Sequence, residues 1–429
     1  MRLFRAGERG FERYLTEIEE RGVEYRPSLE RRVRTILRDV RQRGDKAVAH
    51  YTNLYDGERV PTHRFEVGRA EVKLAYRKIP RDFLKTLEKA SRRIRKFHRL
   101  SLRRSVASSE RGIRLGQRIQ PLERVGVYVP GGKASYPSTV LMAAIPARVA
   151  GVREILMVTP PQQRGGVNPA VLVAADLAGV DRIFRVGGVQ AIAALAYGTA
   201  RIPRVDKIVG PGNQYVAAAK RLVYGVVDVD MVAGPSEIVV VSDEKTPPSF
   251  LAADLISQAE HDEMALAILV TPFEGIGREV QKELKRQLGS LRRTKIARSS
   301  LEKRGAILIV QDVDQAIEVA NRIAPEHLEL SVSHPFRLFR RVRHAGAVFL
   351  GPYTPEAIGD YVAGPNHILP TAGTARFSSP LGVEDFLKRT NWMSFTGPAL
   401  KGFDRDVKGF TEFEGLEGHY RALEMRVNR

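Results

Sequence analysis

Residues 125–159 read VGVYVPGGKASYPSTVLMAAIPARVAGVREILMVT. A β-branched run, VGVYV (125–129), ends in the turn PGGKASYP (130–137); an Ala-rich helical stretch follows, then a second short run, EILMVT (154–159). Parallel strands need a crossover between them, and the crossover helices cover both sheet faces, so uniformly apolar strands alternating with helices predict parallel βαβ units. The alternation continues through helix NPAVLVAADLAG (168–179), strand RIFRV (182–186), helix VQAIAALAYG (189–198), strand KIVG (207–210) and helix NQYVAAAKRLVYG (213–225). It resumes with strand SEIVVVSD (236–243), helix FLAADLISQAE (250–260), strand ALAILVTP (265–272), a helix over 277–289, strand AILIV (306–310) and helix VDQAIEVANRI (313–323). Strands HLELSV (327–332) and AGAVFLG (345–351) close it. The predicted fold is therefore α/β, with two similar doubly wound, incomplete Rossmann-like domains over 121–235 and 236–380, joined near Gly234 and Pro235.

Outside this core the texture is helical. Segments such as LERRVRTILRDVRQRG (29–44) and FLKTLEKASRRIRKF (83–97) repeat apolar residues every three or four positions, which predicts a mostly helical N-terminal region over 1–120. From about 384 the pattern reads as helix again, giving a helical C-terminal arm over 381–429 behind the Gly/Ser/Pro-rich stretch AGTARFSSPLG (372–382).

Composition narrows the function. With 43% hydrophobic and 28% charged residues in 429, the chain is neither disordered nor fibrous. No apolar run is long enough for a membrane span and the start, MRLFRAGERGFERYL, has no apolar signal core, so the expected location is cytoplasmic, with no membrane partner. With no cysteine, any metal site must use His, carboxylate or amide ligands. The net charge of +20 raises nucleic acid as a partner. Residues 1–120 hold 32 Lys and Arg against 16 Asp and Glu, a surplus of 16. The densest cluster, Arg92, Arg93, Arg95, Lys96, Arg99, Arg103 and Arg104, falls on a helical stretch with acids interleaved through the region, and no nucleic-acid motif accompanies it. A solvated face is the expectation, and no nucleic-acid partner.

Three groups of residues can carry chemistry. Three Gly-rich turns, at 130–137, 187–191 and 210–214, follow predicted strands of one sheet and carry the polar residues Tyr128, Gln190 and Asn213. Backbone N–H groups and helix N-termini at such turns can converge on an anionic cofactor. Singly, each also reads as an ordinary turn that needs Gly for its backbone angles. In SQAEHDEM, Gln258 and His261 are three residues apart at a helix end, on one face. In IGDYVAGPNH, Asp360 and His367 flank a Gly-Pro loop. Such N and O donors suit zinc or a similar divalent ion, although scattered histidines are more often ordinary surface or core groups. Finally, APEHLEL (324–330) sets Glu326 beside His327, and the two can serve one site only if Pro325 bends the chain, since neighbours in a strand face opposite ways.

The strings GVYVPGGKASYPSTVLM, VGGVQAIAALAYGT, GPGNQYVAAAKR, DMVAGPSEIVV, DLISQAEHD, PEHLEL and GDYVAGPNHILPT, in this order, resemble the histidinol dehydrogenase family over nearly the whole chain. The resemblance implies an NAD- and zinc-dependent oxidation of L-histidinol to L-histidine through the bound aldehyde, with one zinc per subunit. It implies Gln258, His261, Asp360 and His419 (in FEGLEGHYR) as zinc ligands and Glu326 and His327 as the acid–base pair. It further implies Ser236, His367 and Glu414 as substrate contacts beside the zinc and acid–base residues, and Tyr128, Gln190 and Asn213 as NAD contacts. The first α/β domain would then hold NAD, and the second the metal and catalytic residues. The C-terminal arm, carrying Glu414 and His419, predicts a homodimer with shared active sites. Asp228 departs from the family, which usually has Gly there. A zinc alcohol or aldehyde dehydrogenase of other specificity is the rival, and the missing Cys ligands and nucleophile argue against it.

Overall fold

The computed structural model describes residues 1–22, 27–131, 135–162, 165–232 and 234–428. In chain order the strands are β1 (Arg2–Arg5), β2 (Val106–Glu110), β3 (Ile113–Pro121), β4 (Arg124–Tyr128), β5 (Glu154–Val158), β6 (Arg182–Phe184) and β7 (Lys207–Val209). They continue as β8 (Asp228–Val229), β9 (Glu237–Ser242), β10 (Leu266–Thr271), β11 (Ala306–Ile309), β12 (His327–Ser331), β13 (Ala347–Leu350) and β14 (Leu387–Phe395).

Two parallel sheets carry the fold. One runs β6-β5-β4-β7-β8 and the other β1-β11-β10-β9-β12-β13. Counting each from its own first core strand, β4 or β9, the order is 3-2-1-4-5 in both, with β1 added at the edge of the second. The connection therefore reverses direction once in each sheet, between β4 and β7 and between β9 and β12. All residues of β9 and β10 are buried, as strands covered on both faces require. The crossover helices start and stop on local signals. Helix Pro169–Ala178 has Pro at its first turn, an Asn168 side chain accepting from the Ala170 N–H (2.8 Å), and Gly179 at φ 88° behind it.

The N-terminal helices are divided between the sheets. Phe11, Tyr14, Leu15 and Ile18 pack over the second sheet, while Leu29, Val33, Ile36, Leu37 and Val40 pack beside the first. Helix Arg81–His98 buries Leu87, Ala90, Ser91, Ile94 and His98 and leaves Arg92, Arg93 and Lys96 exposed, while Arg95 is half-buried and donates to the Leu177 carbonyl.

The C-terminal arm differs from its helical reading. Residues Leu387–Phe395 form a strand paired over nine positions with β3, which also pairs with β2 in a three-stranded antiparallel ribbon. This ribbon is exposed on both sides, so its sequence lacks the apolar–polar alternation that marks a half-buried strand. The same cause hides β2 and β3 within the region expected to be mostly helical. Helices Gly397–Lys401, Asp404–Glu414 and Glu417–Val427 follow, and Thr411 is their one buried residue. Asp228 fits where it stands: its backbone is not left-handed, and its carboxylate pairs with Lys207 at 3.0 Å.

Candidate active site

Strands β9 and β12 are neighbours, with His327 opposite Ile238, so the amino-terminal ends of both strands lie together. Ala324 adopts φ 49° and Pro325 follows, which turns Glu326 out of strand geometry. Its carboxylate accepts from the Glu237 N–H (2.9 Å), and His327 Nδ1 lies 3.1 Å from the Glu237 carbonyl. One residue's main chain thus anchors both members of the pair. Both are buried.

The Glu237 carbonyl can only accept, so Nδ1 carries the hydrogen in neutral His327 and Nε2 keeps its lone pair. Nε2 has no hydrogen-bond partner and stands 3.7 Å from Asp360. Glu326 and Glu356 lie 3.7 Å from Nδ1. Burial opposes a charged imidazole here, but the carboxylates of Glu356, Glu326 and Asp360 outweigh it and hold His327 well above the ordinary histidine range. Burial also pushes Glu326 up to about 8 and Glu356 up to about 7.

Two other elements complete the walls. Helix Pro248–Ala259 presents Asp254, Ser257 and Gln258, one turn apart, and His261 follows just beyond its end. Gln258 is fully buried, its side-chain amide set between the Glu356 carboxylate (2.5 and 2.8 Å from one amide atom) and the Glu237 N–H (3.0 Å from the other). The segment from Glu356 to Ala363 begins as helix and widens at Gly359–Ala363 into a π-helical turn, a distortion frequent at functional sites. Its first N–H, on Glu356, is held by the Glu329 carboxylate at 2.7 Å. His261, Glu356 and Asp360 place ligand atoms within 4.8 Å of one another. Burial opposes charge on Asp360, yet the nearby imidazole of His327 at 3.7 Å, with His367 and His261, keeps it below the usual carboxylate range by charge. His261 is the solvent-exposed member of this set.

His367 spans the two halves, its Nδ1 2.8 Å from the Asp360 carbonyl and its Nε2 3.5 Å from Thr139 Oγ1. Thr139 belongs to helix Pro137–Ala150, which follows β4. The cluster therefore lies between the carboxyl end of the first sheet and the amino end of the second. At that carboxyl end, Tyr128 joins two of the Gly-rich turns. Its hydroxyl accepts from the Gly188 N–H (3.2 Å), and at Gly210, φ 111°, a Cβ would lie 2.2 Å from the Tyr128 carbonyl oxygen. Only glycine allows that approach. The turn is braced by Lys220, which donates to the Gly210 carbonyl (2.9 Å) and pairs with Asp230, while Asp230 accepts from the Gly210 N–H (2.7 Å). Lys220→Met is expected to cost about 3–5 kcal/mol, since it strands a buried carboxylate; an unchanged thermal midpoint would contradict this.

Several expected site residues differ in placement. Tyr128 and Gln190 are buried rather than polar tips, and both Gln190 amide atoms lack partners. Asn213 is exposed and caps helix Gln214–Val223 through the Tyr215 and Val216 N–H groups (3.0 and 3.2 Å). In the turn at 130–137, residues 132–134 lie outside the described residues. Ser236 immediately precedes β9 and Glu237. Glu414 and His419 are exposed on the C-terminal helices, and His419 is not among the clustered ligands of the described residues. Glu356, Glu237, Glu329 and Asp254 were not anticipated.

No helix among the described residues is long and apolar enough to cross a membrane. The histidinol dehydrogenase family profile matches residues 19–427. Among similar sequences, the histidinol dehydrogenase of Syntrophotalea carbinolica is 51% identical over 428 residues, covering 100% of this chain and 99% of that protein. That of Geobacter sulfurreducens is 51% identical over 429 residues, covering 100% of both. The crystal structure of histidinol dehydrogenase from Elizabethkingia anophelis superposes with a TM-score of 0.94 at 34% identity, covering 100% of this chain and 98% of that one. Whole-length matches in sequence and in fold leave no part of the chain unaccounted for, and it belongs to the histidinol dehydrogenase family.

Proposed function

We propose that the chain catalyses the NAD- and zinc-dependent four-electron oxidation of L-histidinol to L-histidine through a bound aldehyde. Family membership gives histidinol oxidation in histidine biosynthesis; the observation that carries the finer reading is one imidazole with an unpartnered Nε2 set among buried carboxylates beside a cluster of potential metal ligands. The donor set fits zinc: nitrogen and oxygen ligands, no thiolate, and buried carboxylates raised by their surroundings that a cation would stabilise. Gln258, His261 and Asp360 would hold it, completed by His419 of a second copy. When bound, zinc supplies positive charge that orients the imidazole and amine of the substrate. The glycine turns and the unpartnered Gln190 amide fit a dinucleotide between the two incomplete Rossmann-like domains, with Tyr128 and Asn213 bordering it. NAD supplies the hydride acceptor.

With a cation beside Glu356 and Asp360 offsetting the carboxylates that hold the proton on His327, the neutral ring works as a base through Nε2, taking the alcohol proton as the carbon loses hydride. Glu326 takes a proton from the water that adds to the aldehyde, and the hydrate gives the second hydride to a second NAD and its hydroxyl proton to His327. Ser236, His367 and Glu414 hold the substrate. Zinc-loaded protein is expected to form NADH from L-histidinol but not from ethanol. Chelation should abolish turnover reversibly, and His261→Asn should lose metal and activity while folding normally. Full turnover by metal-free protein would overturn the zinc assignment.

A further inference from the structure

Glu237 holds Glu326 and His327 by its main chain, so whatever fixes Glu237 fixes the pair. Its own side chain is buried and meets one cation, Arg21, which comes from beyond the end of helix Arg9–Glu19. The contact is bidentate: Nε to Oε1 at 2.6 Å and Nη2 to Oε2 at 2.8 Å, with side-chain exposures of 8% and 4%. The guanidinium donates further to the carbonyls of Ile18 (2.5 Å) and Ile323 (2.8 Å). Ala372 N–H donates to Glu237 Oε1 at 3.2 Å. Ala324, next to Ile323, and Ala372 are two of the three non-glycine residues with positive φ among the described residues. Strained backbone persists only where its surroundings over-determine it, and both strained residues here flank the Arg21–Glu237 pair.

We infer that Arg21 is a positioning residue, clamping Glu237 so that its N–H and carbonyl set the Glu326 carboxylate and the His327 ring. The inference rests on the proposed roles of Glu326 and His327. A planar fork fixes a carboxylate in orientation as well as position, whereas an ammonium fixes only distance. A staple for the N-terminal helix alone would need only the Ile323 bond; the bidentate pair is directed at the residue whose peptide touches both Glu326 and His327.

The test compares Arg21→Lys with the double variant Arg21→Met/Glu237→Gln in full-length, zinc-loaded protein. The double change removes both charges and so avoids leaving one buried alone. Both variants are expected to fold. With L-histidinol, kcat should fall about 10–100-fold in the double variant and at least about fivefold in Arg21→Lys, with KM within about threefold of wild type. In protein with 15N-labelled histidines, the hydrogen-bonded Nδ1–H signal of His327, identified by its loss in His327→Asn, should weaken or shift in both variants. A wild-type chain that fails to oxidise L-histidinol would sink the functional reading alone, because the ring signal still reports the clamp. Folded variants with wild-type kcat and an unchanged ring signal would overturn the clamp. If the double variant does not fold, Arg21→Lys decides by the same two readings.

Discussion

Glu326→Gln is expected to slow oxidation of L-histidinaldehyde by about 10²–10⁴-fold, the usual contribution of a general base, while oxidation of the alcohol drops by no more than about tenfold. Glutamine keeps the carbonyl oxygen that accepts from the Glu237 N–H, so the 2.9 Å anchor survives and the loss is chemical. His327→Asn is expected to impair the alcohol step by a similar 10²–10⁴-fold, because it removes the Nε2 lone pair. Asparagine keeps a donor for the Glu237 carbonyl, so structural loss should again be small. Each variant is assayed with L-histidinol and with the aldehyde separately. Equal losses on both substrates for both variants would refute this division of labour.

The parallel strands were readable because burial on both faces makes them uniformly apolar: EIVVV within β9 and LAILV within β10 admit few other readings. Strand β1, RLFR, carries no strand signal of its own, since two arginines flank its apolar pair at a sheet edge. LKRTNWMSF, in β14, has no buried face to impose a period. At the site, local spacing carried His261, Gln258, Glu326 and His327 as candidates, but it could not reveal Glu356. An acid one residue after a proline, as in TPEAIGD, looks like an ordinary first-turn residue stabilised by the helix dipole. Arg21 in EERGVEYR reads as part of a solvated charge run, and its partner Glu237 is 216 residues away. Contacts of that separation leave no periodic trace; only the folded chain brings them together. Asn213 shows the converse, a candidate cofactor contact whose side chain is already engaged in capping its own helix.

Coexpression of an Asp360→Ala chain with a His419→Ala chain is expected to restore activity that neither homodimer has. The arm bearing His419 explains why. Its three helices bury one residue between them, yet the arm exposes Phe403, Phe410, Phe413, Leu416 and Met425, with Phe413 95% accessible. Such a unit has no core of its own, and covering each large side chain is worth about 1.5–3 kcal/mol. An exposed apolar surface of this kind seeks a partner, and a second copy docking by a twofold axis would cover both arms at once. His419 and Glu414 would then meet the partner's Asp360 and His261 rather than their own, consistent with the absence of His419 from the ligand cluster within one chain. In the mixed dimer one site collects both lesions and the other collects neither. Random pairing puts half the chains in mixed dimers and one site in two of those is intact, so about a quarter of wild-type activity should return. If the arm instead folds back on its own core, every site keeps one lesion and the mixture stays inactive. A monomer by light scattering, with activity in Asp360→Ala plus His419→Ala mixtures no higher than in either alone, would remove the shared-site arrangement.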